Sequence, residues 1–132
     1  MTTVSLKSDV NGVYDLPGRK VGVTRGSLEE AYLTRMGVET LPCAHLGDVV
    51  EALRKREAQA AVAHAPELEY LLYKRGSDEL RVVGNVFCHV KYAFAGHPSQ
   101  KELIDQVSLE LIRLQEQDRI SELKERYFGP GN

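Results

Sequence analysis

The sequence predicts an α/β lobe, a mostly parallel sheet flanked by helices, and three observations carry that prediction. Apolar periodicity switches repeatedly between short runs and helical stripes. The resulting order of strand, helix, strand, helix, strand, helix, strand is that of a parallel sheet with helical crossovers. Within it, Ala58 to Ala63 is small and apolar throughout, as suits a central strand covered on both faces.

Taken in order, residues 2–14 are polar and weakly patterned and read as an entry strand or linker. The turn Leu16-Pro17-Gly18 leads into a buried strand over Lys20 to Thr24. Arg25-Gly26-Ser27 closes it, and Ser27 with Glu30 forms a capping box that opens a helix through Met36. Gly37 ends that helix before a short strand over Val38 to Leu41. From Leu46 to Arg56, residues Leu46, Val49, Val50 and Leu53 share one helical face. The basic run Arg54-Lys55-Arg56 suits the dipole at that helix's C-terminal end. After the strand at Ala58 to Ala63, Pro66 fits the first turn of a helix that carries Leu68, Leu71 and Leu72 and stops near Gly76. Leu80 to Gly84 is the next strand.

The last third differs. Val86 to Ala95 is strand-like, turned by Gly96, His97, Pro98 and Ser99. A long helix then carries Leu103, Val107, Leu111 and Leu114 on one stripe, and a shorter one carries Ile120, Leu123 and Tyr127. The four-strand unit can cover only part of this apolar surface, so the lobe is expected to belong to something larger.

Composition narrows the function. In 132 residues, 42% are hydrophobic and 27% charged with a net charge of −2, a globular balance that gives no reason to expect nucleic acid or a strongly anionic membrane as partner. No run reaches the ~18 apolar residues of a membrane span. Met1 to Asp9 lack the basic start and apolar centre of a secretory signal, which points to the cytoplasm only for a chain at its natural start. Cys43 and Cys88 match no zinc or redox spacing; buried thiols are expected, with a single disulfide left open. There is no G-x-S-x-G elbow, Walker loop or G-x-G-x-x-G. His45, His89 and His97 show no paired metal spacing. No catalytic residue, metal or cofactor is therefore expected.

Two places could hold a ligand. A strand that turns on Gly26 into a helix leaves that helix's first N–H groups free, with partial positive charge, so Gly26, Ser27 and Leu28 could receive an anion; Ser27 could equally serve only as a cap. His64 follows the Ala-rich strand, at the C-terminal edge where ligands bind in open α/β sheets. It reads either as a ligand group or as a partly exposed loop residue.

Several stretches then fall in a familiar order. Asp15 to Val23, Gly26-Ser27 and Tyr32-Leu33 resemble the second lobe of family-3 extracellular solute-binding proteins, whose fold also forms the ligand-binding domain of ionotropic glutamate receptors. Glu51-Ala52-Leu53, Gln59 to Pro66, Val82-Val83-Gly84, Tyr92 to Ala95 and Leu123 to Gly129 continue the resemblance over nearly the whole chain. It implies a periplasmic-binding-protein type II lobe over residues 15–91, an entry strand or linker at 1–14, and a segment at 92–132 whose helices return to a first lobe absent from this sequence. It also implies a binding protein rather than an enzyme, with a small-molecule ligand such as an amino acid or small organic acid.

The phrase Val10 to Gly18 looks like the post-pore segment of prokaryotic glutamate-receptor-like potassium channels. The first expectation is thus a ligand-gated channel's binding domain, on the periplasmic or extracellular side of the bacterial inner membrane. The second is a fragment of an ABC-transporter solute-binding protein; a sensor-kinase input domain or a dehydratase of the same fold ranks behind both. Expected partners are the first lobe, a pore domain or permease, and other copies of the isolated fragment.

Position by position, the resemblance puts the anion contact on Gly26, Ser27 and Leu28, where the last lacks the family's hydroxyl. The acid that grips a ligand amine falls on His64, a second acidic position on Gln59, and a helix-ending glycine on Arg56. A histidine cannot replace that acid toward an ammonium group, so an acid lacking the amine is the ligand expected.

Overall fold

A computed structural model of the protein describes residues 1–6, 10–75 and 79–129. It divides into two compact units, residues 1–89 and 90–132, described separately below.

The first unit is a five-stranded sheet: β1 (Thr2–Leu6), β2 (Lys20–Thr24), β3 (Glu39–Cys43), β4 (Ala60–Ala63) and β5 (Leu80–Val83), in the order β3-β2-β4-β1-β5. β2 runs parallel to β3 and β4, whereas β1 is antiparallel to both β4 and β5. Four strands therefore share one direction and β1 alone opposes them, which makes the sheet mixed but mostly parallel. The connecting helices are α1 (Leu28–Arg35), α2 (Leu46–Arg54) and α3 (Ala65–Arg75). The expected stop of α3 near Gly76 lies outside the described residues.

The period of two along the strands splits the core across the sheet. Val21, Val23, Ala60 and Val62 pack on one face with Leu16, Leu33 of α1 and Val83. Val4, Ala61 and Ala63 pack on the other with Val49 and Leu53 of α2 and Leu68 of α3. All four residues of β4 are buried, as the small-residue run foretold.

Two helix ends show how the chain enforces these turns. After α1, the Gly37 N–H donates to the Thr34 carbonyl and the Val38 N–H to the Leu33 carbonyl, with Gly37 at φ +74°. After α2, the Arg56 N–H donates to the Leu53 carbonyl and the Glu57 N–H to the Ala52 carbonyl. This is the same Schellman closure. Here, however, a side-chain-bearing residue occupies the left-handed position, Arg56 at φ 60°. The α2 helix thus ends at Arg54, short of the expected Arg56.

One expectation is resolved and another needs correction. The segment 2–14 holds β1, an interior strand with Thr2, Thr3 and Ser5 buried. Its polarity hid its position, although threonine fits a pleated surface well. Conversely, residues 86–95 form no strand. Phe87 and Met1 exchange backbone hydrogen bonds at 3.0 and 2.9 Å, after which the chain leaves the sheet, and no strand among the described residues pairs with it. An alternating apolar pattern makes a strand only where a neighbour accepts the ladder.

In the second unit, α4 (Lys101–Glu116) and α5 (Arg119–Phe128) form as the stripes predict, but neither buries a residue. Leu103, Leu111, Leu123 and Tyr127 are exposed. Tyr92, Ala93 and Phe94 with Ile104, Val107 and Leu111 line an open groove of about 600 Å³.

Candidate functional site

The C-terminal ends of β2, β3 and β4 bring the candidate residues together at one edge of the first unit. β2 leaves the sheet at Thr24, and the Arg25 N–H donates to the Cys43 carbonyl at the end of β3 (2.8 Å). Gly26 then takes φ +72°, and a Cβ there would meet nothing within 4 Å. Glycine is needed for the turn itself, not for space. Ser27 caps α1: its Oγ accepts the Glu30 N–H at 3.2 Å, while the Glu30 carboxylate accepts the Gly26 N–H at 2.5 Å. The Ser27 N–H donates to the Thr24 carbonyl.

That census changes which groups remain for an anion. The N–H groups of Arg25, Gly26, Ser27 and Glu30 are all engaged within the chain. The Leu28 and Glu29 N–H groups make no hydrogen bond to the described residues. Of the three residues expected to meet an anion, Leu28 thus keeps an available donor, and Gly26 and Ser27 act as the turn and cap that aim it.

His64 lies where expected, between the end of β4 and the start of α3. Its surroundings were not foreseen. Nε2 is 3.2 Å from Glu29 Oε1, and Nδ1 is 3.8 Å from Glu67 Oε1, one turn along α3. The Glu29 side chain is 4% exposed against 25% for His64 and 63% for Glu67. The His64–Glu29 approach is close but lacks hydrogen-bond alignment, and Glu29 Oε1 is buried with no hydrogen bond to the described residues.

Glu29 is the residue sequence reasoning missed. A signal for it existed: four residues before the buried Leu33, it continues that helix's inward face. An acid on such a stripe is the informative exception.

Cys43 borders the same edge. Burial pushes its thiol pKa up, the carboxylates of Asp48 and Glu57 add to that, and Arg25 opposes them. Both cysteines are free, Cys43 half-buried and Cys88 exposed; the expectation of two buried thiols fails at Cys88, which sits on the unpaired segment. Gln59 stands at the other end of the strands. Its Oε1 accepts the Lys20 N–H at 2.8 Å and its N–H donates to the Lys20 carbonyl at 2.9 Å, so it ties β4 to β2 away from this edge. No group of three or more metal-ligating side chains occurs among the described residues.

Comparison with known proteins bears on the fold. The chain matches no protein-family model. Among solved structures, it superposes on the ligand-binding core of GluR0 from Nostoc punctiforme, crystallised with L-glutamate, at TM-score 0.79 and 24% identity, over 98% of this chain and 60% of that one. Substrate-binding domain 2 of GlnP from Lactococcus lactis, in an open conformation, matches at TM-score 0.81 and 18% identity, over 99% and 59%. The probable amino-acid ABC-transporter extracellular-binding protein ytmK of Bacillus subtilis matches at TM-score 0.78 and 20% identity, over 98% and 58%. The fold is that of family-3 solute-binding proteins and the GluR0 ligand-binding core. The chain spans about three fifths of the length of these structures. No helix among the described residues is long and apolar enough to cross a membrane.

Proposed function

We propose that this chain is the second lobe, with the returning segment of the first, of a two-lobed domain that closes on a small ligand. The observation that carries the reading is the edge itself. The ends of parallel strands, the open Leu28 N–H at the start of α1, and His64 converge where open α/β sheets bind ligands. The partial match supports it: nearly all of this chain aligns, yet some two fifths of each similar structure has no counterpart. The apolar stripe Leu103, Val107, Leu111 and Leu114 is then the surface that packs on the first lobe. Left alone, it favours self-association of this fragment. The function is binding, not catalysis.

In the first reading the lobe belongs to a glutamate-receptor-like ion channel, outside the bacterial inner membrane, and ligand closure draws on the pore. What favours it is the stretch Val10 to Gly18 with its post-pore resemblance. In the second reading it belongs to an ABC-transporter binding protein, favoured by the amino-acid-binding proteins among the similar structures. Closure in either case requires tighter ligand binding by the closed state than by the open one.

The coding sequence ahead of Thr2 separates the two. A potassium-selectivity signature there makes the chain part of a channel, and continuous first-lobe sequence with a signal peptide makes it part of a transporter. The lobe reading itself is tested by adding the corresponding first lobe in trans. Formation of a one-to-one complex that disperses the fragment's self-association by light scattering is expected; a fragment that stays strictly monomeric alone and ignores the first lobe refutes it.

A further inference from the structure

Glu29 has no task in the sheet, the cap or the core. It is the one acidic residue buried among the described residues. Its Oε1 makes no hydrogen bond to the described residues while lying 3.2 Å from the partly exposed His64. Withdrawing a carboxylate from water is costly unless a cation and aligned donors meet it. The start of α1 offsets part of that cost, because a negative charge in the first turn is favoured there. Among the described residues no aligned cationic donor meets it, and the position is at the sheet edge where a ligand would lie. Arg25 does not supply it: its side chain is exposed and makes no ion pair with Glu29.

We propose that Glu29 is the specificity-determining acid of this site: its carboxylate, with His64 beside it, receives a cationic nitrogen of the ligand. The inference rests on the reading of this edge as a ligand site and names the chemistry the site selects. A small molecule that carries an ammonium group near a carboxylate satisfies both features of the edge, the carboxylate meeting the Leu28 N–H and the ammonium meeting Glu29. An acid of the same length without the amine leaves Glu29 unmet. The acid that position 64 lacks is thereby supplied from α1, and the amine-free ligand expected from the sequence gives way to an amine-bearing one.

The test uses the whole chain in solution NMR, titrated with L-glutamate and with glutarate, which differ by the ammonium group. L-glutamate is expected to shift the Leu28 amide and the His64 ring signals saturably, with a Kd roughly tenfold or more below that of glutarate. Glu29→Gln is expected to shrink that preference to about threefold or less, and Glu29→Asp to retain part of it. The melting temperature provides a second readout. An acid held for binding is not needed for stability, so E29Q should melt no lower than the parent. Equal affinity for the two compounds, or a preference that survives in E29Q, overturns the role of Glu29 and leaves the ligand site standing. Silence of Leu28 toward both compounds up to about 50 mM overturns the site along with it.

Discussion

The two units of this chain are made from equally periodic sequence and end in opposite states. In residues 1–89, Val21, Val23, Val49, Leu53 and Leu68 are all fully buried. In residues 90–132, the stripe on α4 is as regular, yet α4 and α5 bury nothing. Periodicity determines which face of a helix is apolar, and only a second surface turns that face into a core. The sheet provides that surface for α1, α2 and α3; among the described residues of the second unit none buries the α4 stripe.

The sharpest way to break the comparison is a pair of matched truncations. Leu53→Ala should cost about 3 kcal/mol in urea unfolding, since it empties a closed site. Leu111→Ala, 37% exposed, should cost less than about 0.5 kcal/mol in the same chain. Similar losses at both would mean that the α4 face is covered in solution.

A smaller effect is expected at Gly84, where φ is +71° and a Cβ would lie 2.7 Å from the Gly12 Cα. Gly84→Ala forces two backbones apart and should destabilise by about 2 kcal/mol in the same assay. Opposite in sign and smaller again is Arg56→Gly. It relieves a left-handed residue while keeping the Schellman bonds, for a gain of about 1 kcal/mol. A loss on R56G would mean that the Arg56 side chain contributes more than its backbone costs.

The last prediction leaves stability aside. Because burial and the nearby carboxylates raise the Cys43 pKa, its thiolate appears only at higher pH than that of a free cysteine. Its alkylation rate, followed by mass spectrometry against exposed Cys88, should rise with pH along a profile displaced upward from that of free cysteine. A profile at or below the free-cysteine one would contradict the effect of Asp48 and Glu57.

What the sequence made legible follows the same division. β2, β3, β4 and β5 and all five α-helices were readable, because their apolar residues repeat at the period of their own structure and Gly37 or Pro66 marks their ends. β1 was readable only as an entry strand or linker, not as an interior strand, because Thr2, Thr3 and Ser5 look like surface while the sheet closes over them. Residues 86–95 misled in the other direction: Val86, Val90, Tyr92 and Phe94 are exposed, and pairing, which decides a strand, is not a property of the strand's own residues. At the candidate site, Gly26, Ser27, Leu28 and His64 could be placed from turn chemistry and resemblance. Glu29 could not, because its significance is the 3.2 Å approach to His64, across 35 positions of chain.

β1 also has a mechanical consequence. β1 lies inside the sheet, with four residue pairs to β4 on one side and four to β5 on the other. A pull along β1 loads both ladders together in shear, so that all the bonds on each side resist at once rather than opening one by one. Tension delivered there goes straight into the layer that holds His64 at the end of β4, with no compliant element between. Residues 2–6 are thus coupled stiffly to β4, and a force applied to them loads the strand end at the candidate site directly.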